Sequence, residues 1–343
     1  MTGTDVSRWA DAAMFRSEPM PGGLSKGSRA YLINATPDPL GSLAALCEMY
    51  QGRVVRSLNE VTDVERQYWF AEVLKSPLQG PLESVSFHFL VEGVTRAFTH
   101  QMVRGRHAFY AQESLRFAVV DNEPWLDRIG YPPTLAAEPE QANPLDPTDE
   151  HGRGYLSDAG REYALRRDTW DDAVITAQNA YNRLIEAGIP AEDARGLMPH
   201  AILTRLHWVC SLRELIYVAG LRLCTQAQFE WRQVMAQVVN ALRQYDTARN
   251  HDWDVNKDGW QFAAIADKLK PVCYNEGRCS FMAKDDRACA IRGRVNANAR
   301  AGRPSAVWHE PAVDADSGAV VVEAISPYEW AADPTAARKR GQE

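Results

Sequence analysis

THQMVRGRHAFYAQESLRF, residues Thr99–Phe117, holds three arginines at short spacing: Arg104, Arg106 and Arg116. Two amides and a hydroxyl accompany them: Gln101, Gln112 and Ser114. No acidic residue lies near the first two arginines in the sequence. Because guanidinium groups bind phosphate through paired hydrogen bonds, the stretch predicts a site for an anion.

The spacing of these residues indicates how an anion would be held. On an extended segment, residues two positions apart face the same side, which would pair the first two arginines with each other and Ser114 with Arg116. An aromatic turn at Phe109 and Tyr110 is expected between the pairs, so the ligand would carry more than one phosphate. The alternative is a solvated surface, where most arginines lie. The apolar flanks favour a site, because a polar cluster in an apolar run costs free energy unless it is paired.

Composition limits the class of protein. The chain has 343 residues, 45% of them apolar, which suffices for one large domain or a domain with appendages. Its net charge of −7 repels nucleic acid and anionic membranes, so neither is expected as a partner. We expect no secretory signal and no membrane span, because no apolar run has the required length. Six cysteines do not suggest a disulfide scaffold, which favours a cytoplasmic setting.

Hydrophobic periodicity predicts a mixture of strands and helices. Strands are expected at Arg29–Asn34, Val85–Leu90 and Ala201–Val209. Helices are expected at Leu40–Tyr50, Val61–Leu74, Arg161–Gly188 and Ala227–Tyr245. Ser211 and Glu214 have the spacing of a capping box, which would open one more apolar helix with free N–H groups that favour an anion.

Changes in composition suggest where domains begin and end. We expect an N-terminal arm over residues 1–28, a main domain over 29–248 and a C-terminal extension over 249–343. Residues 121–160 are acidic and rich in proline, so they resemble an inserted loop more than a core element.

Four segments, in order, resemble the motifs of the flavin-dependent thymidylate synthase (ThyX) family. The family signature is Arg-His-Arg-x-x-Ser followed by Ser-x-Arg, and the chain has Arg104–Phe109 followed by Ser114–Phe117. The sequence VTRAFTHQMVR resembles the family's lead-in to this signature. Downstream, Ala194–Pro199 is similar to the family's Ala-Arg-x-x-Leu-Pro, and Ser211–Arg222 with Ala227–Glu230 is similar to its last block. The resemblance covers about two thirds of the chain.

This resemblance implies a fold and an activity. The family fold is mixed α/β of the α+β kind, with a central, mostly antiparallel sheet flanked by long helices, to which a C-terminal extension would be added here. Members methylate the uracil ring of dUMP to give dTMP. They use 5,10-methylenetetrahydrofolate as carbon donor, FAD as carrier and reductant, and NADPH to reduce the flavin. They are usually homotetramers with active sites built between subunits, so dUMP, a folate and further copies of the chain are the implied partners.

Motif positions carry the family's binding residues onto this chain. The implied dUMP set is Gln101, Arg104, Gln112, Glu113, Ser114, Leu115, Arg116, Arg195 and Arg222. The implied FAD set is Gly80, Arg104, Gly105, Arg106, Gln112, Ser211, Arg213 and Tyr217. Arg222 is the implied catalytic residue, because a fixed cation against the pyrimidine would stabilise negative charge as uracil N3 loses its proton. No enzyme nucleophile is required.

The chain departs from the family signature at several positions. Gly105 stands where the family has histidine, and Phe109 stands where it has serine. Ser211 and Tyr217 stand where asparagines near the flavin are usual. Two alternative functions are therefore kept: a related pyrimidine-nucleotide hydroxymethylase, and a non-catalytic nucleotide-binding paralogue that has lost flavin.

Three late cysteines form a weaker candidate site. Thiolates at short spacing can hold zinc, and Cys273, Cys279 and Cys289 would do so with His309 as the fourth ligand. Their spacing is not the tight pairing that defines zinc sites. We therefore expect free or buried thiols, and no metal.

Overall fold

The computed structural model describes residues 28–116, 124–132, 135, 158–224, 227–245 and 259–276, together with a short strand pair at 312–313 and 320–321. The predicted N-terminal arm, most of the proline-rich segment and most of the extension lie outside these residues.

The main sheet has four strands in the order β1-β2-β4-β3. The strands are β1 (Arg29–Ala35), β2 (Ser86–Thr95), β3 (Ala108–Gln112) and β4 (Leu203–Ser211). Backbone hydrogen bonds join the start of β2 to the ends of β1 and β4: Thr36 N donates to Ser86 O, and Leu212 N donates to Val85 O. Neighbouring strands therefore run in opposite directions, and the expected antiparallel sheet is confirmed.

Helices make up most of the remaining described structure. They are α1 (Pro39–Tyr50), α2 (Asp63–Lys75), α3 (Arg96–Met102), α4 (Asp158–Glu186), α5 (Ala191–Ala194), α6 (Leu212–Arg222), α7 (Phe229–Arg243), α8 (Gly259–Ala266) and α9 (Val272–Glu276). Short 3₁₀ turns occupy Leu58–Glu60, Gly80–Ser84, Trp125–Arg128 and Arg195–Leu197. Each strand and helix expected from periodicity is present. No helix among the described residues is long and apolar enough to cross a membrane.

The chain forms two compact units whose boundaries fall inside β2, β3 and β4. In the first unit, residues 92–101 and 112–205, the core lies against the long helix α4. Trp125 is fully buried, with its ring 5.3 Å from that of Tyr181, and its backbone N donates to Gln178 Oε1. Trp125 and Ile129 are thus core residues, so this part of the proline-rich segment differs from the inserted loop that its composition predicts.

In the second unit, residues 28–91, 102–111 and 206–343, helix α7 packs against β1 and α8. Phe262 and Ile265 of α8 are fully buried, and Gln261 Oε1 accepts a hydrogen bond from Leu40 N at the start of α1. Residues of α8, which fall inside the predicted extension, therefore contribute to this core. The predicted domain boundary at 248 remains a proposal.

A buried ion pair joins α1 to α2 in the second unit. Asp38 caps α1 by accepting a hydrogen bond from Gly41 N, and it also accepts from Arg66 Nη2 at 2.7 Å and Nε at 3.1 Å. Burial raises the pKa of Asp38, but the hydrogen bonds from Arg66 and Gln261 and the charge of Arg66 outweigh it, so the pKa lies below its ordinary value. The pair ties the cap of α1 to the first turn of α2.

One local expectation was wrong. Arg104 and Arg106 do not lie on an extended segment, because helix α3 runs to Met102 and Gly105 N then donates to Met102 O in a turn. The aromatic pair expected to form a turn, Phe109 and Tyr110, instead lies in strand β3.

Candidate flavin and nucleotide site

The second unit contains a cleft of about 1100 Å³. Its walls come from the end of α2, the 3₁₀ turn Gly80–Ser84, the first turns of α6 and the segment from Lys268 to Asn275. Three residues of the implied FAD set line it: Ser211, Arg213 and Tyr217. Ordinary ligand pockets measure roughly 300–1,000 Å³, so this cleft is large enough for a dinucleotide.

The start of α6 is held in place by its sequence. Ser211 Oγ accepts a hydrogen bond from Glu214 N at 3.3 Å, as the Ser-x-x-Glu spacing predicts. Arg213 Nη1 lies 2.6 Å from Glu83 Oε1 in the 3₁₀ turn that begins at Gly80. Both side chains are about half exposed (51% and 58%), so this pair contributes less than about 1 kcal/mol. The pair nevertheless joins α6, which carries Arg213, to the 3₁₀ turn that begins at Gly80; both residues belong to the implied FAD set.

Gly105 is closely surrounded by other residues. A Cβ at this position would lie 2.7 Å from Tyr110 Oη, 3.3 Å from Glu214 Oε1 and 3.4 Å from Met102 O. A histidine, the family's usual residue here, has no room unless Tyr110 moves. Burial raises the pKa of Tyr110, and the nearby Glu214 raises it further, so the phenol keeps its proton at neutral pH.

We expect Gly105→Ala to lower the free energy of unfolding by about 1–3 kcal/mol, because the added methyl overpacks this contact. In a Tyr110→Phe background the same change should cost less than half as much, since the closest atom is gone. Urea unfolding of the four variants measures this coupling. Gly196→Ala is the matched control, because no atom lies within 4 Å of a Cβ there. Equal costs in both backgrounds would contradict the contact.

Three further arginines of the implied FAD and dUMP sets also lie in the second unit. Arg104 and Arg106 are exposed in the turn after α3, and His107 beside them lines the cleft. Arg222 is half-buried near the end of α6, with its guanidinium carbon 4.8 Å from the centre of the Trp231 ring. This cation–π contact favours a position of the guanidinium over the ring.

The first unit contains most of the implied dUMP set. Gln112 Nε2 donates to Thr99 Oγ1 at 2.9 Å, which fixes that amide at the end of β3. Glu113 O accepts from Arg96 Nη2 at 2.8 Å, and the Glu113 carboxylate lies 3.9 Å from both Arg128 and Arg205. Glu113 is therefore surrounded by three guanidinium groups.

The other dUMP-set residues of this unit lie on its surface, with one exception. Gln101, Arg116 and Arg195 are exposed, and Ser114 Oγ accepts from Arg116 N at 3.3 Å. Arg195 Nε donates to Glu192 O, which orients the side chain at the end of α5. Leu115 is buried in the hydrophobic cluster, so only its backbone could meet a nucleotide. The predicted convergence of Arg104, Arg116, Arg195 and Arg222 on one ligand stays a prediction.

Sequence reasoning missed Arg96. The hydrogen bond from Arg96 Nη2 to Glu113 O places Arg96 beside an implied dUMP residue. Burial lowers the pKa of Arg96, the charge of Glu113 raises it, and the charge of Arg195 lowers it further. Its Nε is buried without a hydrogen-bond partner among the described residues. The signal was a charged residue inside the apolar run VEGVTRAF, where it costs free energy unless it is paired.

The zinc alternative stays untested. Cys273 lies in α9, whereas Cys279, Cys289 and His309 lie outside the described residues. Within the described ranges, no group of three or more His, Cys, Asp or Glu side chains could hold a metal ion.

Comparison with known proteins places these features in a family. The Thy1 family, described as thymidylate synthase complementing protein, has a family model that matches residues 31–246. The flavin-dependent thymidylate synthase of Geobacter sulfurreducens is 29% identical over 216 residues, covering 62% of this chain and 81% of that protein. The enzyme of the same name from Halobacterium salinarum is 32% identical over 193 residues, covering 54% of this chain and 74% of that protein.

A solved structure is also similar. The UMP/dUMP methylase PolB from Streptomyces cacaoi, bound with 5-Br dUMP, aligns with a TM-score of 0.47 and 20% identity over 66% of this chain and 90% of that chain. Because the family model spans more than half of the sequence, this chain belongs to the Thy1 family of flavin-dependent thymidylate synthases.

Proposed function

We propose that this chain is a flavin-dependent thymidylate synthase that methylates dUMP to dTMP. The observation that carries the proposal is the cleft: Ser211, Arg213 and Tyr217 line it, and all three lie within the family match at residues 31–246. We further propose that the carbon donor is 5,10-methylenetetrahydrofolate, that NADPH reduces the flavin, and that a cytoplasmic homotetramer is the active form.

FAD fits the residues of the cleft. The volume is of dinucleotide size, and the walls carry three cations, Lys75, Arg213 and Lys268, against two carboxylates, Glu83 and Glu214. Arg213 would meet a phosphate, and Tyr217, which is exposed beside it, would cover a ring. When bound, the flavin would supply the hydride and one-carbon transfer chemistry, while the chain supplies position and charge.

The chain's own residues would act on the pyrimidine nucleotide. Ser114, Arg116 and Arg195 would hold the phosphate of dUMP, and Gln112 would orient its base. Arg222, held over Trp231, would stabilise the negative charge that develops on the uracil ring as N3 loses its proton, which makes C5 more nucleophilic.

A visible spectrum and a product analysis test this function together. Purified protein should be yellow or become so with FAD, and mass spectrometry should detect dTMP after incubation with dUMP, NADPH and methylenetetrahydrofolate. A hydroxymethylated nucleotide would favour the hydroxymethylase alternative. Phe109 and Tyr217, which differ from the family's usual residues, motivate that alternative. Protein that takes up no FAD would exclude both enzymes and favour the nucleotide-binding paralogue. Light scattering of the purified protein tests the tetramer.

We expect Ser114→Ala and Arg116→Ala to weaken dUMP binding. Loss of a hydrogen bond to a charged phosphate costs about 1.5–3 kcal/mol, which is roughly 10- to 100-fold in Kd for the arginine and less for the serine. Calorimetric titration of dUMP measures the change, while FAD affinity should be unaltered. Arg53→Ala is the control, since Arg53 pairs with Glu48 and Glu65 and belongs to neither implied set. Unchanged dUMP affinity in both variants would show that the nucleotide is placed wrongly.

A further inference from the structure

The segment from Lys268 to Asn275 lies beyond the residues matched by the family model, yet it forms one wall of the cleft. Lys268, Val272 and Asn275 line the same space as Ser211, Arg213 and Tyr217 of α6. None of these three residues is in the sets implied by the family motifs. They are therefore an additional contribution to whatever the cleft binds.

This segment is a built wall. Leu269 is fully buried and Tyr274 is 8% exposed, so apolar side chains anchor it at two points. Asn275 Nδ2 donates to Lys268 O at 3.2 Å and to Lys270 O at 3.4 Å, which ties α9 back onto the turn before it.

The wall also packs closely on the helix that carries the implied flavin residues. A Cβ at Gly220 of α6 would lie 3.0 Å from Val272 Cγ2, so the two backbones approach each other where glycine permits it. Direct contact between α6 and the segment 268–275 thus sets the position of Lys268 relative to α6.

Charges in the cleft single out Lys268. Lys75 Nζ is paired with Glu72 at 2.8 Å, and Arg213 is paired with Glu83 at 2.6 Å. Among the described ion pairs none engages Lys268, whose side chain is exposed to the cleft. A cation on a hydrogen-bonded turn in a dinucleotide-sized cleft is suited to a phosphate, because an ammonium group donates to phosphate oxygens from several directions.

We propose that Lys268 binds a phosphate of the dinucleotide cofactor and that residues 268–275 form part of the flavin site. This inference rests on the proposed function, since it takes FAD as the occupant of the cleft. A phosphate of FAD would contact Lys268, and Val272 would pack against an apolar part of the cofactor.

The test compares FAD with riboflavin, which lacks the two phosphates and the adenosine of FAD. Lys268→Ala should raise the Kd of FAD about 10-fold, the loss expected for one hydrogen bond to a charged group, and should leave the Kd of riboflavin, which carries no phosphate, unchanged. Lys268→Arg should restore most of the FAD affinity. Lys270→Ala is the matched control, because Lys270 is two positions away and does not line the cleft. Fluorescence titration measures each Kd, and thermal unfolding shows that the variants fold.

The outcomes separate this inference from the proposed function. Wild-type protein that binds FAD while Lys268→Ala binds it equally well would overturn the role of Lys268 and leave the function standing. Equal losses for FAD and riboflavin would also overturn it, because the lysine would then act on packing and not on phosphate. Wild-type protein that binds neither flavin would overturn both proposals.

Discussion

Arg222→Ala is expected to reduce kcat for dTMP formation by about 10²- to 10³-fold, the usual cost of removing one donor that stabilises charge in the transition state. The structure supports a fixed position for this cation, because its guanidinium lies 4.8 Å from the centre of the Trp231 ring. Affinity for FAD should change little, since Arg222 does not line the cleft. Steady-state kinetics with saturating FAD and dUMP measures the effect.

Two comparisons make this result specific. Arg53→Ala removes an arginine from a surface ion-pair cluster and should leave kcat unchanged. Loss of the cation–π contact should cost about 0.5–2 kcal/mol of stability, so thermal unfolding of Arg222→Ala must show that the protein is still folded at the assay temperature. Folded Arg222→Ala protein with wild-type kcat would remove Arg222 from the catalytic role.

Arg66→Ala is expected to lower the free energy of unfolding by about 3 kcal/mol, the low end of the cost of breaking a buried ion pair, because the partly buried carboxylate of Asp38 keeps hydrogen bonds only from Gly41 and Gln261. The two side chains are 11% and 13% exposed and lie 2.7 Å apart. Since α2 contributes Ala71, Leu74 and Lys75 to the cleft, FAD affinity should fall with stability. Arg243→Ala is the matched control: its pair with Asp267 has the same 2.7 Å separation but is exposed, so its loss should cost less than about 1 kcal/mol.

The same pair predicts how stability depends on pH. The pKa of Asp38 lies below its ordinary value of 3.8 in the folded protein. A group whose pKa is lowered by folding binds its proton more readily in the unfolded chain, so its contribution is complete above about pH 4 and is lost as the pH falls through the folded pKa. Asp38→Asn should therefore flatten the acid side of the stability curve measured by urea unfolding. An unchanged slope below pH 4 would contradict this assignment.

Local structure followed from the sequence where one strong pattern acted alone. The apolar spacing from Tyr163 to Leu184 predicted α4, and Ser211 with Glu214 predicted the start of α6. The stretch from Met102 to Tyr110 was harder because it combines a helix end, a turn and a strand within nine residues. The spacing of extended chains does not hold in the turn, where Gly105 N donates to Met102 O, so Arg104 and Arg106 do not have the geometry that their spacing predicts.

Only the site residues that lie within the family motifs could be predicted from the sequence. Arg213 and Tyr217 are four positions apart on α6, and Ser211 caps the start of that helix, so their placement in one cleft follows from helical geometry. Lys268 is more than forty residues further along the chain, and only tertiary packing at Gly220 and Val272 brings it to that cleft. The need for glycine at position 105 depends likewise on Tyr110 and Glu214, which no local pattern connects.

The strand order has a consequence for synthesis of the chain on the ribosome. β4 lies between β2 and β3, yet about a hundred residues separate the end of β2 from the start of β4. A nascent chain that has emerged only as far as β3 lacks β4, so the edges of β2 and β3 that pair with β4 are still exposed. Such unpaired edges are templates for aggregation. We expect nascent chains of this protein to bind chaperones until β4 has emerged. We also expect the long helix α4 to form before β4 pairs with β2 and β3.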